Sequence, residues 1–514
     1  MLSFFKKEKK IILAFVLILV LSFSLRFFRV ILEKQPIFGD EAIYIRWSQI
    51  MRAEPSLRFV PQSDGKQPLF MWATIPFLKI FDDSLIAGRM LSVYTGVIVC
   101  AGVFFLTLLL FESGIAALAA EVIYAVSPFS VFFDSMALAD SMLSMFIIWC
   151  LIFAVITVKK KRLDFAMLSG FCLGGALLTK SPATIFVLLL PLTFLVDKWP
   201  VSLRKKINNL GVLIFLFSFT YLIAYGLYNI LRLGTNFHMI ALRNLDYVYS
   251  LSHIVNSPLD PFLPFIDRIV EYLWLIGPGV LLLMILAGFY VGINKRKKET
   301  LVICALALLP ILTVAEFSKT MTARYIYFSL PYLFILAALG ILVFRNGRGK
   351  YHKILFFIPL VFLLHSFFVD YRFITNPQSV KLPRDERSGY FEEWTAGYGI
   401  KETAKLIREE YRNNPDQKIV VGTEGYFGTL PDGLQIYLND LLEITIIGVG
   451  IDLNEVPQSL RESRASGNKT YFLINSTRLK GDYKNMDLDL VAFYPKASRK
   501  EGTMEYNLHG PREA

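Results

Sequence analysis

Eleven long apolar stretches, joined by short polar links, constrain this chain more than any other feature. They fall near 11–32, 86–111, 114–133, 137–158, 163–179, 182–196, 209–232, 271–293, 300–316, 323–344 and 353–370. Several approach the ~20 apolar residues that a helix needs to span a bilayer. A 54% hydrophobic composition with 44 Phe and a mean hydropathy of +0.50 exceeds what a soluble globular chain carries. The reading is an α-helical polytopic membrane protein with about 11 transmembrane helices. The first run, "IILAFVLILVLSFSLRFF", follows "MLSFFKKEKK". It is longer than the ~7–15 residues of a signal-peptide core and no small-residue cleavage site follows, so it reads as an uncleaved span. The runs at 163–179 and 182–196 are short and read as a hairpin, which returns the chain to its starting side whether or not it crosses.

The basic clusters set the sidedness. They are Lys6, Lys7, Lys9 and Lys10, "KKKR" at 159–162, "DKWPVSLRKK" at 197–206, "NKRKK" at 294–298 and "RNGRGKYHK" at 345–353. Alternating sides from a cytoplasmic N-terminus puts all of them inside, as the positive-inside rule requires. The net charge of +12 is therefore a topology signal and gives no reason to expect nucleic acid. Residues 1–370 read as the membrane domain. Its first external loop is 33–85 and its second long one 233–270. The tail, 371–514, emerges outside the cell membrane and is long enough to fold as its own domain. In it "KIVVGT", "ITIIGVGI", "TYFLIN" and "DLVAFY" read as strands, "GIKETAKLIREEYR" and "EVPQSLRESRAS" as helices: a C-terminal extracytoplasmic α/β domain. All four cysteines sit in apolar runs, so neither a disulfide framework nor a zinc site is expected.

Some charges are not explained by topology. Lys66, Arg89, Lys180, Lys319 and Arg324 lie at or near the outer ends of apolar runs. Each taken alone reads equally as a cation snorkelling to headgroups; several around one core also fit an anionic ligand at membrane depth. Among the acids, Asp82 and Asp83 read as a solvated loop. Asp134 and Asp140 flank the turn "FFDSMALAD", and Asp140 falls just inside a span, where a carboxylate needs a partner or a task. In "GDEAIYIRWSQIM", Asp40 reads either as the N-cap of a surface helix or as a working acid beside Glu41.

Taken in order along the chain, these features resemble the type-C membrane glycosyltransferases, in particular the superfamily of protein O-mannosyltransferases and lipid A aminoarabinose transferases. The resemblance rests on "GDEAIY" after the first span (Asp40, Glu41, Tyr44), "KQPLFMW" ending the first loop (Lys66) and Arg89 opening the second span. It continues with "VSPFSVFFDSMALAD", "LLTKSP" and a late "ARYIYFSLPYLFILAALG", and covers roughly residues 10–345. The chain departs from the pattern at Gln67, where relatives carry Pro. It has Gly65 where the aminoarabinose branch is acidic, and no Arg in the turn before Asp140.

The resemblance implies an enzyme that moves a hexosyl or pentosyl unit from a polyprenyl-phosphate sugar donor to a hydroxyl acceptor (protein, lipid or glycan) at the outer face. In that reading Asp40 is the general base of an inverting transfer and Glu41 orients a neighbour or a donor hydroxyl. Lys66, Arg89, Lys180 and Arg324 stabilise the departing lipid phosphate, while Asp134 and Asp140 hold those cations or the acceptor. No metal site is legible, since His238 and His253 have no evident partners, although a divalent metal stays open as a cofactor. The rival reading is a transporter or flippase for a lipid-linked or anionic solute. It fits less well, because the unexplained charges gather at the outer boundary and no repeat is visible.

Overall fold

A computed structural model describes residues 8–346, 352–499 and 503–511. The chain divides into two compact units. The first comprises Met1–Leu32, Arg58–Phe70 and Arg89–Pro383; the second comprises Glu33–Leu57, Met71–Gly88 and Arg384–Ala514.

The first unit is helical. Among the described residues seven helices are long and apolar enough to cross a membrane: Lys9–Ile31, Ser84–Phe111, Ala139–Lys160, Leu203–Leu233, Lys297–Phe317, Ala323–Ile341 and Phe357–Thr375. The pair Phe262–Leu275 and Val280–Lys295 is apolar enough to count as an eighth if taken together, but it is bent by 103°, as in a broken span or a re-entrant loop. The bend falls at Pro278, which has no N–H to continue the ladder. Three shorter apolar helices, Gly114–Val126, Leu163–Thr179 and Ala183–Val196, complete the series and fall on the remaining apolar runs of the sequence. The run at 114–133 is interrupted: Ser127 is extended (φ −68°, ψ 124°), as a residue before proline prefers, and Pro128 restarts a helix at its first position. Where Val280–Lys295 crosses Leu330–Asn346, a Cβ on Gly288 would stand 1.6 Å from the carbonyl oxygen of Leu336, so only glycine lets these backbones touch.

The second unit is an α/β fold. Strands β1 (Ile37–Phe38) and β2 (Ala396–Gly397) pair antiparallel, Ile37 opposite Gly397. A five-stranded sheet has the order β4-β3-β5-β7-β6. Its parallel core is β3 (Ile419–Thr423), β4 (Ile444–Gly448) and β5 (Lys469–Asn475). Antiparallel β6 (Leu488–Pro495) and β7 (Glu505–Pro511) extend it. All five residues of β3 are buried, the mark of a central strand covered on both faces. The four strands and two helices read from the tail sequence are all present. Strand β7 and the helix Asp432–Leu438 went unread, because "EYNLHGP" and "DGLQIYL" are too short and polar to show a period.

Packing groups the chain differently from a cut at residue 370. The first-loop helix Gly39–Ala53 belongs with the tail: Arg46 Nη1 donates to Asn439 Oδ1 (2.5 Å) and Gln49 Nε2 to the Ile436 carbonyl (2.9 Å). Asp83, expected in a solvated loop, accepts the N–H groups of Leu85 and Ile86 through one oxygen and the Lys401 ammonium (2.6 Å) through the other. A helix start and a salt link to Glu33 through the same lysine thus tie 33–57 and 71–88 to the tail.

Candidate active site

In the second unit the pair that begins the Gly39–Ala53 helix is held by the β1–β2 ribbon, with Gly39 N–H donating to the Thr395 carbonyl at 3.1 Å. The N-cap is Phe38 rather than Asp40. Its N–H donates to Glu41 Oε2 at 3.0 Å, so the third helical residue reaches back and closes the first turn. Glu41 is fully buried and does the capping, while Asp40 is half-buried beside it. Both acids lie in the first turn, where the helix dipole favours negative charge. Tyr44 is buried one turn further on, its ring stacked on Trp47 at 6.1 Å.

The first unit gathers most of the predicted cations. Asp140 lies in the first turn of Ala139–Lys160 and is 2% exposed. One of its oxygens accepts Lys180 Nζ at 2.6 Å, and the other lies 3.5 Å from Arg324 Nε. Three apolar runs thus deliver one carboxylate and two cations to a single spot. Lys180 follows the last turn of Leu163–Thr179, and Arg324 sits in the turn Ala323–Ser329.

Lys66 is brought towards this cluster by its neighbour, since Gln67 Nε2 donates to Ser181 Oγ at 2.8 Å. The turn Val60–Asp64 ends on Gly65 in the left-handed region (φ +67°), where a Cβ would also stand 2.5 Å from Arg243 Cβ. Arg243 holds Asp64 through two bonds of 2.7 and 3.1 Å. The Lys66 ammonium is left 4.0 Å from that carboxylate, 5.0 Å from the Tyr247 ring and partly exposed. It is a cation with its charge weakly matched. Arg89 is buried at 1% exposure in Ser84–Phe111.

Asp134 has a different set of partners. It is fully buried and accepts bonds from Arg26 Nε (2.9 Å), Tyr124 Oη (3.0 Å), Ser141 Oγ (2.6 Å) and the Tyr327 hydroxyl. Arg26 also donates to the carbonyls of Ser22 and Ala125, at 3.0 Å each. Sequence reading passed over Arg26, although an arginine inside the first apolar run signals a buried partner. It also passed over Arg243 and Tyr327. Of the histidines, His253 stacks on Tyr249 (3.9 Å) and its Nε2 lies 2.7 Å from the Asp260 carbonyl. Among the described residues no three His, Cys, Asp or Glu side chains gather as metal ligands would.

Residues 65–225, less than half of the chain, match the family described as dolichyl-phosphate-mannose-protein mannosyltransferase. No curated protein sequence matches. Two crystal structures of ArnT from Cupriavidus metallidurans are similar over nearly the whole length. One is bound to undecaprenyl phosphate and one is apo, each at 12% identity and a TM-score of 0.56. They cover 97% and 98% of this chain and 98% of theirs. The archaeal oligosaccharyltransferase AglB from Archaeoglobus fulgidus, in complex with an inhibitory peptide and a dolichol-phosphate, matches at 13% identity. Its TM-score is 0.51, over 98% of this chain and 74% of that one. The fold is that of the type-C membrane glycosyltransferases, the superfamily that the ordered motifs resemble.

Proposed function

We propose that this protein transfers a sugar from a polyprenyl-phosphate-linked donor to a hydroxyl acceptor at the outer face of the cell membrane, with inversion at the anomeric carbon. The observation that carries the reading is the cluster of cations at Asp140, where Lys180 and Arg324 meet one carboxylate and Lys66 is drawn in through Ser181. A lipid phosphate gains negative charge as its bond to the sugar breaks. Fixed cations away from bulk water stabilise that charge more than mobile ones in solution. Asp140 holds Lys180 in place beside Arg324. Arg89 supplies a further charge.

The acceptor oxygen attacks the anomeric carbon from the face opposite the phosphate. The bond between that carbon and the phosphate oxygen breaks, and its electron pair leaves with the phosphate. Asp40 takes the hydroxyl proton during the attack. Glu41 fixes the helix turn that presents Asp40, which is why the motif carries two acids. The likeness to proteins solved with undecaprenyl phosphate and dolichol-phosphate supports a polyprenyl-phosphate donor for this chain as well.

The test uses purified full-length protein in detergent and a panel of radiolabelled polyprenyl-phosphate sugars. Release of sugar from one donor should fall about 10²- to 10⁴-fold in Asp40→Asn, with donor binding retained. Full release by the folded variant would remove Asp40 as the base. A failure of every donor to bind would favour transport over transfer.

A further inference from the structure

The second unit contains a cleft that the transfer reading does not use. Strand order places β4 on one side of β3 and β5 on the other, so the two parallel crossovers run in opposite directions. Right-handed connections then put the helix Asp432–Leu438 on one face of the sheet and the helix Gln458–Ala465 on the other. On the Gln458–Ala465 face lies a cleft of about 680 Å³. Its apolar wall is Phe472, Leu460, Met486 and Leu488, and its polar lining includes Asn454, Asn485 and His509.

His509 is the anomaly. It lies on β7 opposite Phe472 of β5 and is fully buried, yet neither ring nitrogen has a hydrogen-bond partner. Buried polar groups are almost always paired, and a histidine left with both nitrogens idle at a cleft is built to meet something. Burial pushes its pKa down to about 4, so the ring is neutral and offers one donor and one acceptor. The Tyr483 ring, centred 5.0 Å away, fixes its plane. Of the five charged side chains that line it, four pair with one another and the fifth, Asp482, accepts the Lys484 N–H at 3.0 Å. Arg461 pairs with Glu455 at 2.6 Å, and Arg464 approaches Asp487 at 3.4 Å.

A ligand for such a cleft is uncharged, has an apolar face for the wall, and carries groups that donate and accept together. A hydroxylated ring meets all three conditions, because each hydroxyl is both donor and acceptor and the ring C–H face is apolar. We infer that this cleft binds a neutral saccharide unit, with the His509 imidazole and the Asn454 and Asn485 amides as its hydrogen-bonding groups. Its volume lies in the range of small-molecule sites. The site stands on the second unit alone and does not depend on the assignment of Asp40. If the chain is a transferase, the bound unit belongs to a glycan acceptor.

The experiment is saturation-transfer NMR and titration on the full-length protein in nanodiscs, using the methyl glycosides of glucose, mannose, galactose and N-acetylglucosamine, with glucuronate as a charged comparison. At least one neutral glycoside should bind, and His509→Ala should weaken it about 10-fold, the equivalent of one lost hydrogen bond. Asn485→Ala should weaken it similarly, and serves if the histidine variant misfolds. Asp40→Asn should bind as wild type does, which separates failure of this site from failure of the catalytic reading. No binding by any neutral glycoside, preference for glucuronate, or binding indifferent to both cleft variants would overturn the inference.

Discussion

Asp134 and Asp140 stand six residues apart, both almost completely buried, and the chain uses them in opposite ways. Asp134 is surrounded by four donors that fill its lone pairs, only one of them charged, and Arg26 finds further neutral partners in backbone carbonyls and the Ser22 hydroxyl. Asp140 faces two cations. The first arrangement is closed. The second sets two cations beside one carboxylate, an arrangement that suits an anion. A buried carboxylate is therefore a structural part or a site part according to what is set around it, hydroxyls and one cation or two cations, and Ser141, which donates to Asp134 from the position next to Asp140, shows how closely the two kinds are set.

The largest effect should separate them most cleanly. Removing one member of a closed buried pair leaves the other charge unmatched, which costs about 3–5 kcal/mol. Arg26→Leu should therefore lower thermal stability sharply, measured by the loss of monodisperse protein on heating in detergent, with donor affinity of the surviving folded fraction unchanged. A stable Arg26→Leu protein with weakened donor binding would reverse the two roles. Lys180→Met should do the opposite, with modest loss of stability and donor affinity weakened by about 2 kcal/mol, roughly 30-fold, as expected for a charge-assisted bond to phosphate. Lys66 is partly exposed and loosely paired, so Lys66→Ala should cost about 1 kcal/mol in donor affinity and respond to salt.

A third buried cation sharpens the contrast from the second unit. Lys496 is 4% exposed, and its Nζ donates to the Glu393 carbonyl at 2.8 Å while lying 3.9 Å over the Tyr506 ring. Burial pushes its pKa from 10.5 down to about 7. Between those values the unfolded chain holds the proton more often than the folded one, so stability rises as pH increases from about 7 towards 10. Lys496→Met should flatten that slope in pH-dependent denaturation. An unchanged slope would mean that the lysine is paired well enough to stay charged.

Much of this was legible in the sequence, and what was not has a physical reason. The apolar runs gave the helices because each is a local pattern, and Lys180, Asp140 and Arg324 were legible as charges without a topological excuse. Which carboxylate would meet which cation was not, since Arg26 and Asp134 are 108 residues apart and nothing local pairs them. Nor could spacing tell that Glu41 and not Asp40 would cap the helix, because the cap depends on where β1 stops. The union of the first loop with the tail was hidden for the same cause: β1 and β2 are short, and their pairing joins distant parts of the chain. His509 drew no notice at all, being one histidine in a short polar strand.

The most direct measurement is the affinity of undecaprenyl phosphate for the purified full-length protein, titrated against wild type, Lys180→Met and Arg26→Leu, using only the folded fraction of each. Wild type should bind, Lys180→Met should bind roughly 30-fold more weakly, and folded Arg26→Leu should keep wild-type affinity. Equal affinity in wild type and Lys180→Met would contradict this division of roles, and so would a loss confined to Arg26→Leu.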